Sequence, residues 1–479
     1  MSSNSNFQTL HLLSGLESMY LLIYIVPGIG LYDLRTYAVK NSVHAASQGF
    51  LPSSRNRTLS YLAQIGHILS SSLRLVVVRL RNLEACRFFA MILSTTCRTL
   101  FQLPLSFPGF KAYSNMPYVD VTSSTGKTRF KYTICTPASE EADEIDRNLP
   151  TLLFIHPVSI AEHIYYAQFC DCQLRRFNLV SFDLRGGHGG TTGDRVPFRY
   201  GQVEAAEDTM RLMDAIKLPP CHLVAMSSGT TIAVEIAVTQ PERVLSMFLI
   251  SHLCLEIPLE VAEGHEEVNE IWASAFPDES TVKEDAIYDA GFGNIQYMFS
   301  NPKLSPLVTA MTRVTYPVAM VRWNYHHLDQ FRIMNLDFYL NRKSHPKSVL
   351  ARIIGSVKLV HGSEDVAYPK SYAEEFLRQL EEAGVEASLL EVPGAPHYLS
   401  PDFAACINPV LHKFILQNDR FDLALCAPIP DHVVSPWEDK MRQAGLNPDG
   451  AEDADSSSDD GIIINSCLPS YLVETLDFL

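Results

Sequence analysis

The residues best placed to do chemistry form one short stretch, His222-Leu-Val-Ala-Met226 followed by Ser227-Ser228-Gly229. An apolar, β-prone run gives way to Ser-Ser-Gly, and Thr230–Gln240 then reads as a helix closed by Pro241. A serine at a sharp strand-to-helix turn presents its hydroxyl outward, where it can attack an acyl carbon. Such a turn presses the residues two positions either side against adjoining backbone, so both must be small. Ala225 and Gly229 meet that demand around Ser227. Centring the turn on Ser228 would place Met226 and Thr230 at the crowded positions, which is poor. The N-terminus of the following helix adds positive potential where an oxyanion would form. Taken alone, the motif could also be an incidental Ser-Ser-Gly loop.

Other candidate groups read as structural. His326 and His327 adjoin one another, but no third ligand is spaced to complete a metal site. Cys170 and Cys172 form the only close pair among ten scattered cysteines, which read as reduced thiols of an intracellular, cytoplasmic or membrane-associated protein. No metal and no cofactor is expected.

Positioning Ser227 requires a particular set of elements. Tyr118–Thr122 and Arg129–Thr136 predict a hairpin across Ser-Ser-Thr-Gly-Lys. Strands are expected at Thr151–His156, Asn178–Asp183, His222–Met226 and Val244–Ser251, with an amphipathic helix at Val203–Ile216. Buried apolar strands alternating with helices mean a parallel sheet covered on both faces. The alternation stops near Leu255 and resumes near Val357, with strands at Val357–Val360 and Ser388–Val392 and helices at Lys370–Ala383 and Phe403–Leu416. The intervening hundred or so residues, rich in aromatics such as Trp272, Tyr297 and Trp323, predict a helical cap over the strand ends.

This pattern resembles the α/β-hydrolase superfamily from about Tyr118 to Leu416. The resemblance implies an α/β fold, a mostly parallel central sheet with helices on both faces and a helical cap insertion. It also implies the chain order nucleophile, acid, base. Ser227 would be the nucleophile, with Ala225 replacing the family's usual first glycine. The acid would be Asp365 in Gly362-Ser363-Glu364-Asp365, since the family form is Gly-x-x-Asp, and the base His397 in Pro393-Gly394-Ala395-Pro396-His397. Glu256 is the alternative acid. His is suited to the base because it titrates near neutrality, and a carboxylate behind it fixes its tautomer. The oxyanion hole would use the backbone N–H of Ser228 and a second donor from His156-Pro157-Val158-Ser159. Proline has no N–H, so the resemblance points to Val158 or Ser159. Asp183 and Arg185, in the glycine-rich segment Asp183–Gly190, read as structural, and His188 as a loop histidine.

On this reading residues 116–255 and 351–430 form the catalytic core and 256–350 the cap. Residues 1–115 would be a helical extension and 431–479 an acidic, largely disordered tail. The net charge of −16 argues against nucleic-acid binding. Residues 1–115 hold ten Lys or Arg against three acids, hence +7, leaving −23 for the rest. From Leu62 to Leu83 apolar residues recur at helical spacing between arginines, which fits either a helix packed on the core or peripheral contact with a membrane surface. No signal peptide is expected, and Ser18–Tyr32 is too short and too broken by Pro and Gly to span a bilayer. The expected function is a serine hydrolase cleaving an ester, thioester or related acyl bond of a small, hydrophobic or medium-sized substrate through an acyl-enzyme. Acyl transfer on the same residues, or ligand binding without catalysis, are the alternatives.

Overall fold

The computed structural model describes residues 117–447, apart from 254–255, 301–303, 420–427 and 429. The expected basic extension and the acidic run Asp449–Asp460 lie outside the described residues. Strands β1 (Tyr118–Ser123) and β2 (Gly126–Cys135) form the antiparallel hairpin, and β3 (Thr151–Ile155) and β4 (Asn178–Phe182) follow. The two-residue β5 (Thr192–Gly193) pairs with β2. Helix α1 (Gln202–Ala215) leads to β6 (Cys221–Met226), α2 (Ser228–Thr239) and β7 (Val244–Ile250).

Three long helices then intervene: α3 (Leu259–Ser274), α4 (Glu284–Phe299) and α5 (Pro306–Arg322). Short helical turns carry the chain through Leu340, one of them a wide π-turn at Ile333–Asp337. The core resumes with β8 (Ser356–Gly362), α6 (Lys370–Glu382), β9 (Ala387–Val392) and α7 (Ala404–Asn418). The sheet order is β1-β2-β4-β3-β6-β7-β8-β9, parallel from β4 to β9.

The continuous apolar strands have a direct cause. Along β3, Leu153 and Ile155 join one buried cluster while Leu152 and Phe154 join the other, so both faces of the strand are covered. Chain order reverses at β3, with β4 on one side and β6 on the other. Such a switch point opens a crevice at the carboxyl ends of the strands. The loops after β3, β6, β8 and β9 all start from those ends.

The inserted helices are tied down by polar contacts. Ser305 caps α5 by accepting the N–H of Val308 at 3.1 Å. At the other end of α5, the Arg322 guanidinium donates to the carbonyls of Gly187, Gly189 and Thr191, the last two at 2.8 Å. The tail expected from residue 431 begins differently. Residues 431–447 carry α8 (Glu438–Gln443) and fold onto the core. Trp437 is buried, its ring centroid 4.7 Å from that of Phe169. Its indole N–H reaches Glu162 at 3.3 Å. Two apolar residues one helical turn apart, Trp437 and Met441, anchor a stretch whose average composition is polar. Among the described residues no helix is long and apolar enough to cross a membrane.

Candidate active site

Ser227 sits between β6 and α2 with φ 52° and ψ −123°. An L-residue adopts this backbone only when its surroundings enforce it. The enforcement comes from packing: α2 lies so close to β3 that a Cβ on Gly229 would fall 2.3 Å from the Ile155 carbonyl oxygen. Only glycine permits that approach. The N–H of Ser227 is held by the carbonyl of Ile250 at 2.9 Å, which ties the turn to β7.

The structure brings three of the expected residues together. Ser227 Oγ lies 2.9 Å from His397 Nε2, and His397 Nδ1 lies 2.6 Å from Asp365 Oδ2. The other carboxylate oxygen of Asp365 accepts the N–H groups of Ala367 at 3.0 Å and Tyr368 at 2.9 Å. An acceptor at Nδ1 makes that nitrogen the protonated one and leaves the Nε2 lone pair facing the serine. The Ser251 hydroxyl donates to the His397 carbonyl at 2.6 Å, fixing the loop from below. Glu364 and Glu256, the neighbouring and alternative acids, are exposed, whereas Asp365 is buried.

The loops bearing Asp365 and His397 are pressed together. The N–H of Glu364 donates to the Ala395 carbonyl at 2.9 Å. A Cβ on Gly362 would lie 2.3 Å from Ala395 O and 2.4 Å from Pro396 O.

Ser228 opens α2, where backbone N–H groups have no intrahelical acceptor. The Val158 N–H comes to the same place but donates to Ser228 Oγ at 3.0 Å. The loop bearing Val158 is set by two neutral histidines. His156 Nδ1 donates to the Pro157 carbonyl at 2.7 Å, while its Nε2 accepts the Leu184 N–H at 2.9 Å. Nε2 therefore carries no proton, and the 3.9 Å approach of Asp183 is not an ion pair. His188 donates from Nδ1 to the Val158 carbonyl at 2.9 Å, and burial lowers its pKa to about 4. It is a loop histidine, as expected, but one that holds the loop bearing Val158.

Asp183 and Arg185 act within the scaffold. Asp183 accepts the N–H groups of Glu162 at 3.0 Å and Gly190 at 2.7 Å. Burial pushes its carboxyl up, but Lys131 and these N–H groups outweigh it and hold it below the usual carboxylate range. Arg185 donates to the carbonyls of Thr125 at 3.0 Å and Asp194 at 2.9 Å.

Sequence reasoning missed an aromatic shell supplied by the insertion. The Tyr297 hydroxyl lies 3.4 Å from His397 Nε2, and that of Tyr339 lies 3.4 Å from Ser228 Oγ. The His265 ring stacks on Tyr339 at 4.6 Å and meets Tyr297 edge-on at 4.8 Å. In the sequence Tyr297 stands out only as part of an aromatic-rich insertion, since a tyrosine approaching from an insertion has no local spacing to reveal it. Ser227 and His397 are both 0% exposed beneath these rings. Among the described residues no cluster of His, Cys, Asp or Glu could hold a metal, and His326 is exposed. The thiols of Cys170 and Cys172 are free.

Comparison with known proteins agrees with this architecture. The family model described as alpha/beta hydrolase fold matches residues 150–398, just over half of the chain. This chain therefore belongs to the alpha/beta hydrolase family. Among curated proteins it is similar to a putative carbamate hydrolase RutD of Agrobacterium fabrum, 26% identical over 127 residues, which is 25% of this chain and 48% of that protein. A protein of the same name from Variovorax paradoxus is 29% identical over 73 residues, 15% of this chain and 27% of the relative. The matched regions thus span less than half the length of these relatives. Among solved structures, the enol-lactonase of Burkholderia xenovorans aligns with TM-score 0.45 and 18% identity, covering 63% of this chain and all of that one. The carboxylesterase CesB of Bacillus subtilis aligns with TM-score 0.46 and 16% identity, covering 63% and 92%.

Proposed function

We propose that this chain is a serine hydrolase that cleaves an ester, thioester or related acyl bond through an acyl-enzyme. The observation that carries the reading is the continuous line from Ser227 Oγ to His397 Nε2 at 2.9 Å and from His397 Nδ1 to Asp365 at 2.6 Å. Ser227 Oγ attacks the acyl carbon as His397 Nε2 takes its proton. Asp365 stabilises the imidazolium that forms. The carbonyl oxygen, now an oxyanion, turns toward the N–H groups of Ser228 and Val158. For Val158 to serve, the Ser228 hydroxyl that accepts its N–H must rotate away as substrate binds. His397 then returns the proton to the leaving oxygen, sulfur or nitrogen. Water, deprotonated by the same imidazole, releases the acid and restores Ser227.

The insertion is the cap of this site, and its tyrosines line the approach to Ser227. Relatives bearing the name carbamate hydrolase put carbamates beside esters and thioesters in the first substrate panel. The test is labelling with a fluorophosphonate probe. Wild type should label at one serine, and Ser227→Ala should lose the signal. Labelling that persists in S227A, or wild type that stays silent while folded, refutes the reading.

One observation favours a second outcome for the same acyl-enzyme. With Ser227 and His397 fully covered, an alcohol or thiol acceptor bound under the cap could intercept the acyl group before water. Product analysis with competing acceptors separates transfer from hydrolysis.

A further inference from the structure

A cavity of about 30 Å³ lies between the inserted helices and the loop after β3. Ser159, the residue after Val158, opens onto it, as does Met298, whose carbonyl accepts the N–H of Tyr398 at 2.7 Å. The cavity thus adjoins both the oxyanion-side loop and the loop of His397. Its chemistry is specific. Trp272, Phe331 and Met298 supply apolar wall, and no Asp, Glu, Lys or Arg lines it. Seven polar side chains interrupt that wall: the hydroxyls of Thr312, Thr315 and Tyr316 donate to the carbonyls of Thr309, Met311 and Gly291, that of Ser159 meets the Tyr339 hydroxyl at 3.4 Å, and His188, Asn294 and Asn335 complete the set.

Their hydrogen-bond states can be assigned. His188 uses its Nδ1 proton on the Val158 carbonyl, so in the neutral ring Nε2 is a lone-pair acceptor. Burial and the nearby Arg322 keep that ring neutral, with a pKa near 4. Asn335 Nδ2 donates to the Phe331 carbonyl at 3.2 Å, which fixes the amide and leaves Oδ1 as an acceptor. Asn294 has no side-chain partner among the described residues. With the hydroxyl protons of Thr312, Thr315 and Tyr316 already spent on backbone carbonyls, two acceptors of fixed sense and one unpartnered amide line this small space. Leaving such acceptors unpaired when a ligand expels water is costly, so the ligand must donate to them. A charged ligand would have no counter-charge there. A volume of about 30 Å³ holds about two waters, which limits the ligand to a few heavy atoms.

We propose that this cavity is the acyl subsite, and that it selects a short, uncharged acyl group bearing a hydrogen-bond donor, a hydroxyl or an amide N–H, a few atoms from the carbonyl. The proposal deepens the serine-hydrolase reading and rests on it for the word acyl, but its recognition chemistry can be tested without turnover.

The test uses full-length S227A protein and the neutral probes 3-hydroxybutyramide, malonamide and butyramide, read by quenching of tryptophan emission. Trp272 lines the cavity, so occupancy should alter its emission, and W272F should abolish the change. The hydroxylated or the amide-bearing probe should bind at least about ten-fold more tightly than butyramide, as expected for one well-made buried hydrogen bond. Whichever of the two does so identifies the donor. Asn294→Leu, Asn335→Leu and His188→Phe remove the three candidate acceptors in turn, and at least one should bring the ratio to within about two-fold of unity, with alanine at the same position as the second variant should a protein misfold. Equal affinity for all three probes, selectivity retained in all of the acceptor variants, or quenching that survives W272F overturns the proposal. A selective cavity in a protein whose Ser227 ignores the fluorophosphonate would sink the hydrolase reading and leave this one standing as ligand recognition.

Discussion

Replacing Gly362 by alanine should draw His397 away from Ser227 without touching either. A Cβ at this position meets two backbone oxygens, Ala395 O at 2.3 Å and Pro396 O at 2.4 Å. Neither can move as a flexible side chain would, so the loop after β9 must retreat by about 1 Å to restore ordinary contact. His397 is the next residue along that loop. The same displacement applied to Nε2 would stretch its 2.9 Å hydrogen bond to Ser227 Oγ beyond hydrogen-bonding range. A misplacement of about 1 Å in a reacting pair costs on the order of 100-fold in rate. The overpacking itself should destabilise the fold by about 1–3 kcal/mol. That corresponds to a melting shift of several degrees in a domain of this size. The assay is the second-order rate of fluorophosphonate labelling, measured below the melting range of the variant and beside its melting curve. Gly264→Ala is the control: nothing lies within 4 Å of a Cβ built there, and the position is helical. It should label at the wild-type rate and gain up to about 1 kcal/mol of helix stability. G362A that labels as fast as G264A would refute the argument that these loops hold the reacting pair in register.

Three further outcomes are expected. Asp365→Asn should keep the fold and lower kcat by about 10⁴-fold, because an amide no longer fixes the His397 tautomer or stabilises its imidazolium; steady-state kinetics on an activated ester reads this directly. Arg322→Ala removes three charge-assisted bonds to the Gly187–Thr191 loop. It should destabilise by about 2–4 kcal/mol and speed limited proteolysis within 259–340, while R322K should recover part of the loss. His265→Phe should flatten the acid limb of stability. Burial, aided by Arg342 and His397, lowers the His265 pKa to about 3, and its Nε2 is buried without a partner among the described residues. As pH falls from about 6.5 toward 3, the unfolded chain gains a proton that the folded chain refuses, so stability is lost at about 1.4 kcal/mol per pH unit. Phenylalanine keeps the stack on Tyr339 and removes that slope, and denaturant melts at pH 7 and pH 5 should measure the difference.

Much of the framework was readable along the chain. Apolar runs such as Thr151–Ile155 announce strands covered on both faces, and small residues at 225 and 229 announce a crowded turn at Ser227, because both follow from sterics within a few residues. Chain order then narrowed the search for an acid and a base to two loops. What those loops do to each other belongs to the tertiary structure. Glu364 and Asp365 are adjacent in sequence, yet one is exposed and the other meets His397 at 2.6 Å. Val158 carries an N–H on the expected loop, but only the packed structure turns it onto the Ser228 hydroxyl. Tyr297 and Tyr339 reach the site from an insertion with no spacing relation to Ser227, and Trp437 returns from the far end of the chain to cover Phe169. Local backbone preference is written in neighbouring residues. Contacts between distant segments depend on how whole layers stack, and no window of sequence contains that information.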